Sequence, residues 1–333
     1  MKNILYSKSP GVPHGSMDEE FLTHRHCSEW WYCTGYLQDD NRRMFTFQFT
    51  LAKIKIKGIK FHVLLTALTD IENKTHYYSQ NLAFFGKGVV TTSDRTSFGD
   101  IAGMTFEPNE FGSKGCMKLD MKGKNYMLTL DMNAVKPPVW HCEDGVLKMG
   151  LIDDPKQTTY YFSYTNLATS GRLVLDGKEF HVVGKSWFDR QGGTYTIENP
   201  RVNWEWFSLR FFDNDELMLF AFPQDNYYDG TKIEKDGDYR RLSNYTVTPH
   251  GFIKTGGYKF SSGWELHIPG VKDEDYTLVP VIDGQFNLFF FELLAGIRNK
   301  NGETVGYAVV ELLPGVYNQK LNSFRILQNK STK

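Results

Sequence analysis

Long hydrophobic runs are missing from this 333-residue sequence. No apolar stretch approaches the roughly 18 residues that a membrane-spanning helix requires, so an integral membrane segment is not expected. A dominant charge is missing too. With 38 Lys and Arg against 39 Asp and Glu, the chain has no bulk field to attract a phosphate backbone, and no nucleic-acid partner is expected. Cysteine is scarce: Cys27, Cys33, Cys116 and Cys142 stand at irregular spacing and make no disulfide framework, which agrees with a reducing compartment and buried thiols. The stretch from Met1 to Lys8 carries charge but lacks the apolar core of about seven or more residues that a secretory signal needs. The expected location is therefore the cytoplasm.

Familiar catalytic signatures are equally sparse. The segment Gly184 to Gly193 fits neither GxxxxGK[ST] nor GxGxxG, the nucleophile elbow GxSxG is absent, and no Ser/His/Asp arrangement is recognisable. His24 and His26 lie two apart near Cys27 and Cys33, donor types that suit zinc. However, no CxxC or HExxH accompanies them, and His141-Cys142 adds little. Neither a metal nor a cofactor is expected.

What the chain has in excess is aromatic: 7 Trp, 18 Tyr and 25 Phe, 15% of the residues. That is more than packing alone requires and points to an aromatic-lined cavity for a hydrophobic small molecule. The length exceeds the size at which one core usually stops growing, so two domains are expected. The segment Thr196-Ile197-Glu198-Asn199-Pro200 is the favoured join, giving domains 1–198 and 199–333, because its proline cannot donate to a central ladder and aromatic-rich strands flank it. Pro137-Pro138 is the other place at which the chain could divide.

Short alternating runs separated by turn dipeptides recur throughout, and this predicts an all-β fold of antiparallel barrels or barrel-like sandwiches with short, peripheral helices. Phe45, Phe47, Phe49 and Leu51 fall on one face of a strand and Gln48 on the other. Asp-Gly at 144, 176, 229, 236 and 283 and Asn-Gly at 301 supply the positive φ of tight hairpin turns.

Three segments concentrate chemistry. In Thr23 to Gly35, read as a strand, Glu29, Trp31 and Cys33 share one face and Trp30 and Tyr32 the other. A carboxyl beside indole in a low-dielectric pocket has its charged form disfavoured and becomes a general-acid candidate. The alternative for Glu29 is a structural carboxylate bonded to backbone amides or to an arginine. In Gly184 to Gly193, Trp187, Asp189 and Gln191 share a face while Phe188 and Arg190 take the other, making Asp189 a second acid candidate; the alternative pairs Asp189 and Arg190 in an ion-pair network. In Asn203 to Arg210, Trp204, Trp206 and Ser208 lie together, and Tyr160 to Tyr164 and Phe289-Phe290-Phe291-Glu292 add aromatic walls, with Glu292 a third carboxyl among rings.

Taken in order, the motifs Glu29-Trp30-Trp31-Tyr32-x-Thr34-Gly35, Gln48-Phe49-Thr50, Ala67-Leu68-Thr69-Asp70, Gly184-x-x-Trp187-Phe188-Asp189-Arg190-Gln191-x-Gly193, Trp204-x-Trp206-Phe207 and Gly306-Tyr307-x-x-x-Glu311-Leu312 resemble the carotenoid 1,2-hydratase and attachment-protein-H family of tandem lipocalin-like proteins. The resemblance covers residues 20 to 318 and implies two lipocalin-like β-domains with a hydrophobic pocket. It also implies hydration of isoprenoid double bonds or, in related fungal proteins, hydration of a prenylated isoflavonoid or polyene folding for Diels-Alder cyclisation. This chain departs from the family at Thr23 and Leu65, where histidines are common, and at Gly192, where a tryptophan is usual and where the cavity is expected to be reshaped. A carotenoid substrate in particular is not implied.

Acid-catalysed hydration needs a proton donor, a pocket that tolerates a tertiary cation, and placed water. Buried carboxyls and aromatic faces meet the first two needs. The expected function is a cofactor-independent hydratase or cyclase of an isoprenoid- or polyketide-like molecule, with Asp189 and Glu29 as catalytic candidates facing one cavity. Trp31, Trp30, Tyr32, Gln48, Tyr164, Trp187, Arg190, Gln191, Trp204, Trp206 and Glu292 are the candidate pocket residues. Two alternatives stand beside it: a pericyclase that only folds a polyene and binds its carbonyl, and a non-catalytic lipocalin-like binder.

Overall fold

The computed structural model describes residues 11–25, 27–56, 59–149, 154, 156–194, 203–223, 225–255, 258–283, 285–287 and 290–313. Within them the backbone is almost entirely extended, with one four-residue helix, α1 (Met17–Glu20), and antiparallel strands throughout. No helix of the described residues is long and apolar enough to cross a membrane. The chain divides into two compact units, Met1–Leu147 with Thr158–Thr194, and Lys148–Gln157 with Tyr195–Lys333. The join read from sequence at Thr196 to Pro200, like the chain start from Met1 to Lys8, lies outside the described residues.

The first unit contains β1 (Ser28–Asp39), β2 (Met44–Ile56), β3 (Ile59–Asp70), β4 (Thr75–Phe84), β5 (Val89–Thr91), β6 (Arg95–Phe98), β7 (Ala102–Asn109), β8 (Gly112–Lys122), β9 (Tyr126–Ala134), β10 (Val139–Trp140), β11 (Val146–Lys148), β12 (Thr158–Leu175) and β13 (Lys178–Gly193). They form one curled sheet in the order β4-β3-β2-β1-β13-β12-β9-β8-β7-β6-β5, with β10 and β11 added against β12. The second unit contains β14 (Trp204–Phe211), β15 (Glu216–Phe222), β16 (Tyr227–Ile233), β17 (Tyr239–Leu242), β18 (Thr246–Pro249), β19 (Phe252–Thr255), β20 (Tyr258–Ser261), β21 (Trp264–His267), β22 (Asp275–Pro280), β23 (Phe286–Asn287), β24 (Phe290–Asn299) and β25 (Thr304–Leu313). Its main sheet runs β17-β16-β15-β14-β25-β24-β22-β21-β18. Both units follow one plan, in which the first long strand pairs with the last: β1 with β13, and β14 with β25.

Period-two alternation builds these strands. Along β9, Tyr126, Leu128, Leu130, Met132 and Ala134 are buried while the residues between them are exposed. Phe45, Phe47, Phe49 and Leu51 join the same core, as their alternation predicts. Helix α1 is short, as expected, and Asp18 and Glu19 on it are exposed. The residue that ends it, Phe21, is fully buried, stacked on Phe188 with ring centroids 5.6 Å apart and set edge-on to Phe106 at 4.9 Å. The second core gathers Phe207, Leu219, Trp264 and Phe291.

The turn dipeptides divide. Asp144-Gly145 and Asp176-Gly177 have positive φ at both residues, and Gly237 and Gly302 have φ of 97° and 79°. Asp229-Gly230 is a correction: it lies inside β16, opposite Phe220 and Leu219, and the Asp229 carboxylate is held by Arg241 and Tyr227. A side-chain partner on the neighbouring strand overrides the local turn preference there. Gly284 of the Asp283-Gly284 pair lies outside the described residues.

Asp70 closes the β3–β4 hairpin. It accepts hydrogen bonds from Arg43 Nε at 3.1 Å and Asn73 Nδ2 at 2.8 Å, while the Arg43 guanidinium lies over Phe45 and Phe180. Burial pushes the Asp70 carboxyl up, but the Arg43 and Asn73 hydrogen bonds outweigh it and leave the pKa below the ordinary value. A lowered carboxyl pKa gives stability that is present above about pH 3.9 and lost as pH falls through the folded value. Asp70→Asn is therefore expected to cost about 1–3 kcal/mol at pH 7, with the gap to the wild type closing below about pH 3 in urea denaturation. A gap independent of pH would refute the charge-based account.

Candidate functional site

Register decides what the two richest motifs can do. In the β1–β13 pair Glu29 stands opposite Gly192, Trp31 opposite Arg190, and Tyr32 opposite Asp189. Directly opposed residues project to the same face. Glu29, Trp31 and Arg190 therefore point to the inner, core face, joined from β12 by Tyr160 and Tyr164. Trp30, Tyr32, Trp187, Asp189 and Gln191 point to the opposite face, which also carries Gln48. This corrects the expectation that Glu29 and Asp189 line one cavity: alternation puts them on opposite sides of the sheet.

On the inner face Glu29 is fully buried and saturated. Its Oε2 accepts from Arg190 Nη2 at 2.5 Å, His24 Nδ1 at 2.9 Å and the Tyr160 hydroxyl at 3.2 Å; its Oε1 accepts from Lys53 Nζ and, at 3.0 Å, the His24 backbone N–H. The Arg190 guanidinium lies 3.9 Å from the Trp31 ring centre. Burial alone would raise the Glu29 pKa, as the sequence reading anticipates. The charges of Arg190 and Lys53 reverse that and hold the carboxyl well below the ordinary range. Glu29 is thus an ionised structural carboxylate with an arginine partner. Burial pushes the neighbouring Cys27 thiol up to about 12, which keeps it protonated. Gly192, at the position where the family usually has tryptophan, belongs to this face. A Cβ there would meet Glu29 Cβ at 2.6 Å and the Tyr160 hydroxyl at 2.9 Å, so the glycine admits the ion network and opens no space beside Asp189.

On the opposite face Asp189 is 4% exposed. Ser163 Oγ and, at 2.5 Å, Trp187 Nε1 both donate to its Oδ1. His141 Nε2 lies 2.7 Å from Ser163 Oγ, and the imidazole stacks parallel to Trp187 with 6.1 Å between centroids. Complete burial lowers the His141 pKa to about 3, so the ring is neutral. Because Ser163 directs its proton to Asp189, it accepts from His141 Nε2–H, and Nδ1 carries the lone pair. A Ser/His/Asp constellation therefore exists, although none was recognisable in the sequence; its members are 22 and 26 residues apart on β10's exit, β12 and β13. Gln191 donates to Thr159 at 2.7 Å and Gln48 to Thr50 at 2.9 Å on the same face. A groove of about 410 Å³ in this unit is lined by Thr105, Glu107, Cys116, Lys118, Asp131 and Asn133 among others and includes none of the expected pocket residues.

Trp204, Trp206 and Glu292 belong to the second unit. Glu292 stands opposite Glu311 across β24 and β25, and Trp204 Nε1 donates to Glu311 at 2.8 Å. Burial raises the Glu311 pKa, against hydrogen bonds from Glu292 and Trp204. A carboxyl the sequence reading passed over, Glu205, sits on the inner face with Ser261 Oγ at 2.5 Å and Trp264 Nε1 at 3.0 Å, and burial raises its pKa. A repeat signals it: Glu29-Trp30-Trp31 in β1 recurs as Glu205-Trp206-Phe207 in β14. His26 and Phe289 lie outside the described residues.

Glu29→Gln keeps the shape but removes the charge facing two buried cations. The expected loss is about 3–5 kcal/mol of unfolding free energy in urea denaturation, and a loss below about 1 kcal/mol would refute the structural role.

Comparison with known proteins places this architecture. Among curated proteins no sequence relative matches. Among solved structures the chain is similar to an AttH-type protein of Nitrosomonas europaea, at 19% identity and TM-score 0.79, covering 92% of this chain and 99% of that one. It is also similar to kievitone hydratase from Nectria haematococca, at 17% identity and TM-score 0.70, covering 87% and 90%. CghA bound to Sch210972 shares the fold at 9% identity and TM-score 0.54, covering 93% and 96%. The AttH-like family pattern matches residues 16–315, nearly the whole sequence, and the chain belongs to the AttH-like family.

Proposed function

We propose that this protein is a cofactor-independent acid catalyst that protonates a carbon–carbon double bond of a hydrophobic isoprenoid- or polyketide-like molecule, with Asp189 as the proton donor. The observation that carries the reading is the hydrogen-bonded chain His141–Ser163–Asp189, buried beside Trp187 and directly across from Tyr32. Similarity in fold to kievitone hydratase supports it.

In this mechanism the Asp189 O–H proton goes to one alkene carbon and the π pair forms the new C–H bond. The faces of Trp187, Tyr32 and Trp30 stabilise the tertiary cation by roughly 0.5–2 kcal/mol each. Water captures the cation and its released proton returns to Asp189, giving an alcohol; capture by an internal hydroxyl, or by an internal alkene whose new cation then loses a proton, gives a ring, and that proton likewise returns to Asp189. The same water proton can return through the relay instead, entering at His141 Nδ1 as Nε2 gives its proton to Ser163 and Ser163 gives its own to Asp189. Glu29, ionised among cations, serves the fold and not the proton transfer.

Purified protein incubated with prenylated phenols and linear polyenes in ¹⁸O-water distinguishes the outcomes. A labelled gain of water marks hydration and an unlabelled isomer marks cyclisation. Asp189→Asn is expected to cut turnover about 100-fold or more with ligand affinity, read by tryptophan quenching, unchanged. Normal turnover by Asp189→Asn refutes the acid and favours polyene folding without proton transfer; ligand bound and returned unchanged by the wild type favours a binder. The relay also requires His141 to remain a neutral Nε2–H tautomer down to about pH 4 in ¹⁵N NMR, and titration near its ordinary value of about 6.5 would refute it.

A further inference from the structure

Away from Asp189, on the inner side of the first unit, three donor groups from the segment preceding β1 converge. Glu20 Oε2 lies 2.9 Å from His24 Nε2, and both Glu20 oxygens lie 3.3 Å from His14 Nδ1. One ligand atom from each residue falls within 4.8 Å of the other two. The side chains are 6%, 0% and 1% exposed for His14, Glu20 and His24. The two imidazoles are stacked with centroids 4.8 Å apart, both edges turned to the one carboxylate.

The outer side of His24 is already committed. Its Nδ1 is 2.9 Å from Glu29 Oε2 and 3.1 Å from the Tyr160 hydroxyl, and Glu29 is itself neutralised by Arg190 and Lys53. A carboxylate behind Nδ1–H is the arrangement that orients metal-bound histidines, Nε2 becoming the electron-pair donor once a metal displaces its proton. Nε2 here faces Glu20. Each imidazole nitrogen stands within hydrogen-bond reach of the Glu20 carboxylate, so a bound cation would take the place of the protons that now hold these contacts. Donors around a tetrahedral zinc with bonds of about 2.0–2.1 Å are about 3.3–3.4 Å apart; the His14–Glu20 separation of 3.3 Å matches, the His24–Glu20 separation of 2.9 Å is shorter, and the full set closes within 4.8 Å.

We propose that His14 Nδ1, the Glu20 carboxylate and His24 Nε2 form a site for a zinc-type divalent cation, with the fourth position open to water. Glu29 orients His24 from behind. This reverses the expectation of no metal drawn from His24, His26, Cys27 and Cys33. That reading sought ligands on one strand, whereas the set spans α1 and uses His14. The cation would clip the segment 14–24 against β1, on the opposite face from Asp189, so the acid chemistry does not depend on it.

The test uses the full chain, stripped with a chelator and titrated with zinc chloride in calorimetry, with bound metal counted by elemental analysis. One equivalent of zinc is expected, with a rise in melting temperature on loading. Cobalt(II) in its place is expected to show the intense visible bands of a tetrahedral site. His14→Ala and Glu20→Gln should each weaken zinc binding by at least about 10-fold. No zinc uptake and no tetrahedral cobalt spectrum in the wild type would overturn the proposal, as would equal zinc binding by both variants. The wild-type cobalt spectrum decides the matter even where a variant fails to fold.

Discussion

A single carboxylate buried with two cations governs the first unit. Moving such ions out of water costs several kcal/mol each, and only near-complete pairing offsets that cost. Glu29 meets the condition with Arg190, Lys53, His24 and Tyr160, while Arg190 adds the face of Trp31. The same atoms fasten the segment before β1. Glu29 accepts the His24 backbone N–H, Lys53 donates to the His24 carbonyl, and Arg190 donates to the Leu22 carbonyl at 2.9 Å. Fixing Leu22 and His24 holds Phe21, which immediately precedes them, in the ring cluster of Phe106, Phe162 and Phe188. The ion network and the hydrophobic core are therefore coupled through the short segment Phe21 to His24.

The register of β1 against β13 keeps this network apart from the acid. Asp189 and Arg190 are adjacent in sequence, yet pleating sends one to each face, so the guanidinium reaches Glu29 and not its neighbour. A slip of one residue would exchange the two faces entirely. Gly192 helps to pin the register, since the close approach of Glu29 and Tyr160 leaves no room there for a side chain.

The strand content, the turns at 144 and 176, and the inward faces of β2 and β9 follow from period two and from residues that tolerate positive φ, which are local properties and legible in a sequence. The faces of Glu29, Asp189 and their neighbours along each strand were legible for the same reason. Which face of β1 meets which face of β13 was not, because it depends on pairing across about 150 residues of chain. That Glu29 is a structural carboxylate with an arginine partner was one of the two readings open in the sequence; which groups pair with it was hidden for that reason, since Lys53 and Arg190 come from β2 and β13. Ser163 was visible only as one residue in an aromatic run, and His141 as a neighbour of Cys142. Their relation to Asp189 exists only once β10, β12 and β13 lie side by side.

The order of that relay bears on the chemistry available. In an acyl-transfer triad the histidine stands between serine and carboxylate and takes the serine proton as the nucleophile attacks. Here the serine stands in the middle, its proton turned to Asp189 and its lone pair to a neutral His141 that donates. The histidine is a donor to the hydroxyl and not its base, and the group that accepts the Ser163 proton is the carboxyl assigned to the alkene, so the order differs from that of an acyl-transfer nucleophile. What the arrangement can do is move a proton along a line that ends at a buried carboxyl flanked by Trp187 and Tyr32. A proton delivered among aromatic faces suits a substrate whose acceptor is a π bond and whose product is a carbocation, and it offers little to an ester or an amide.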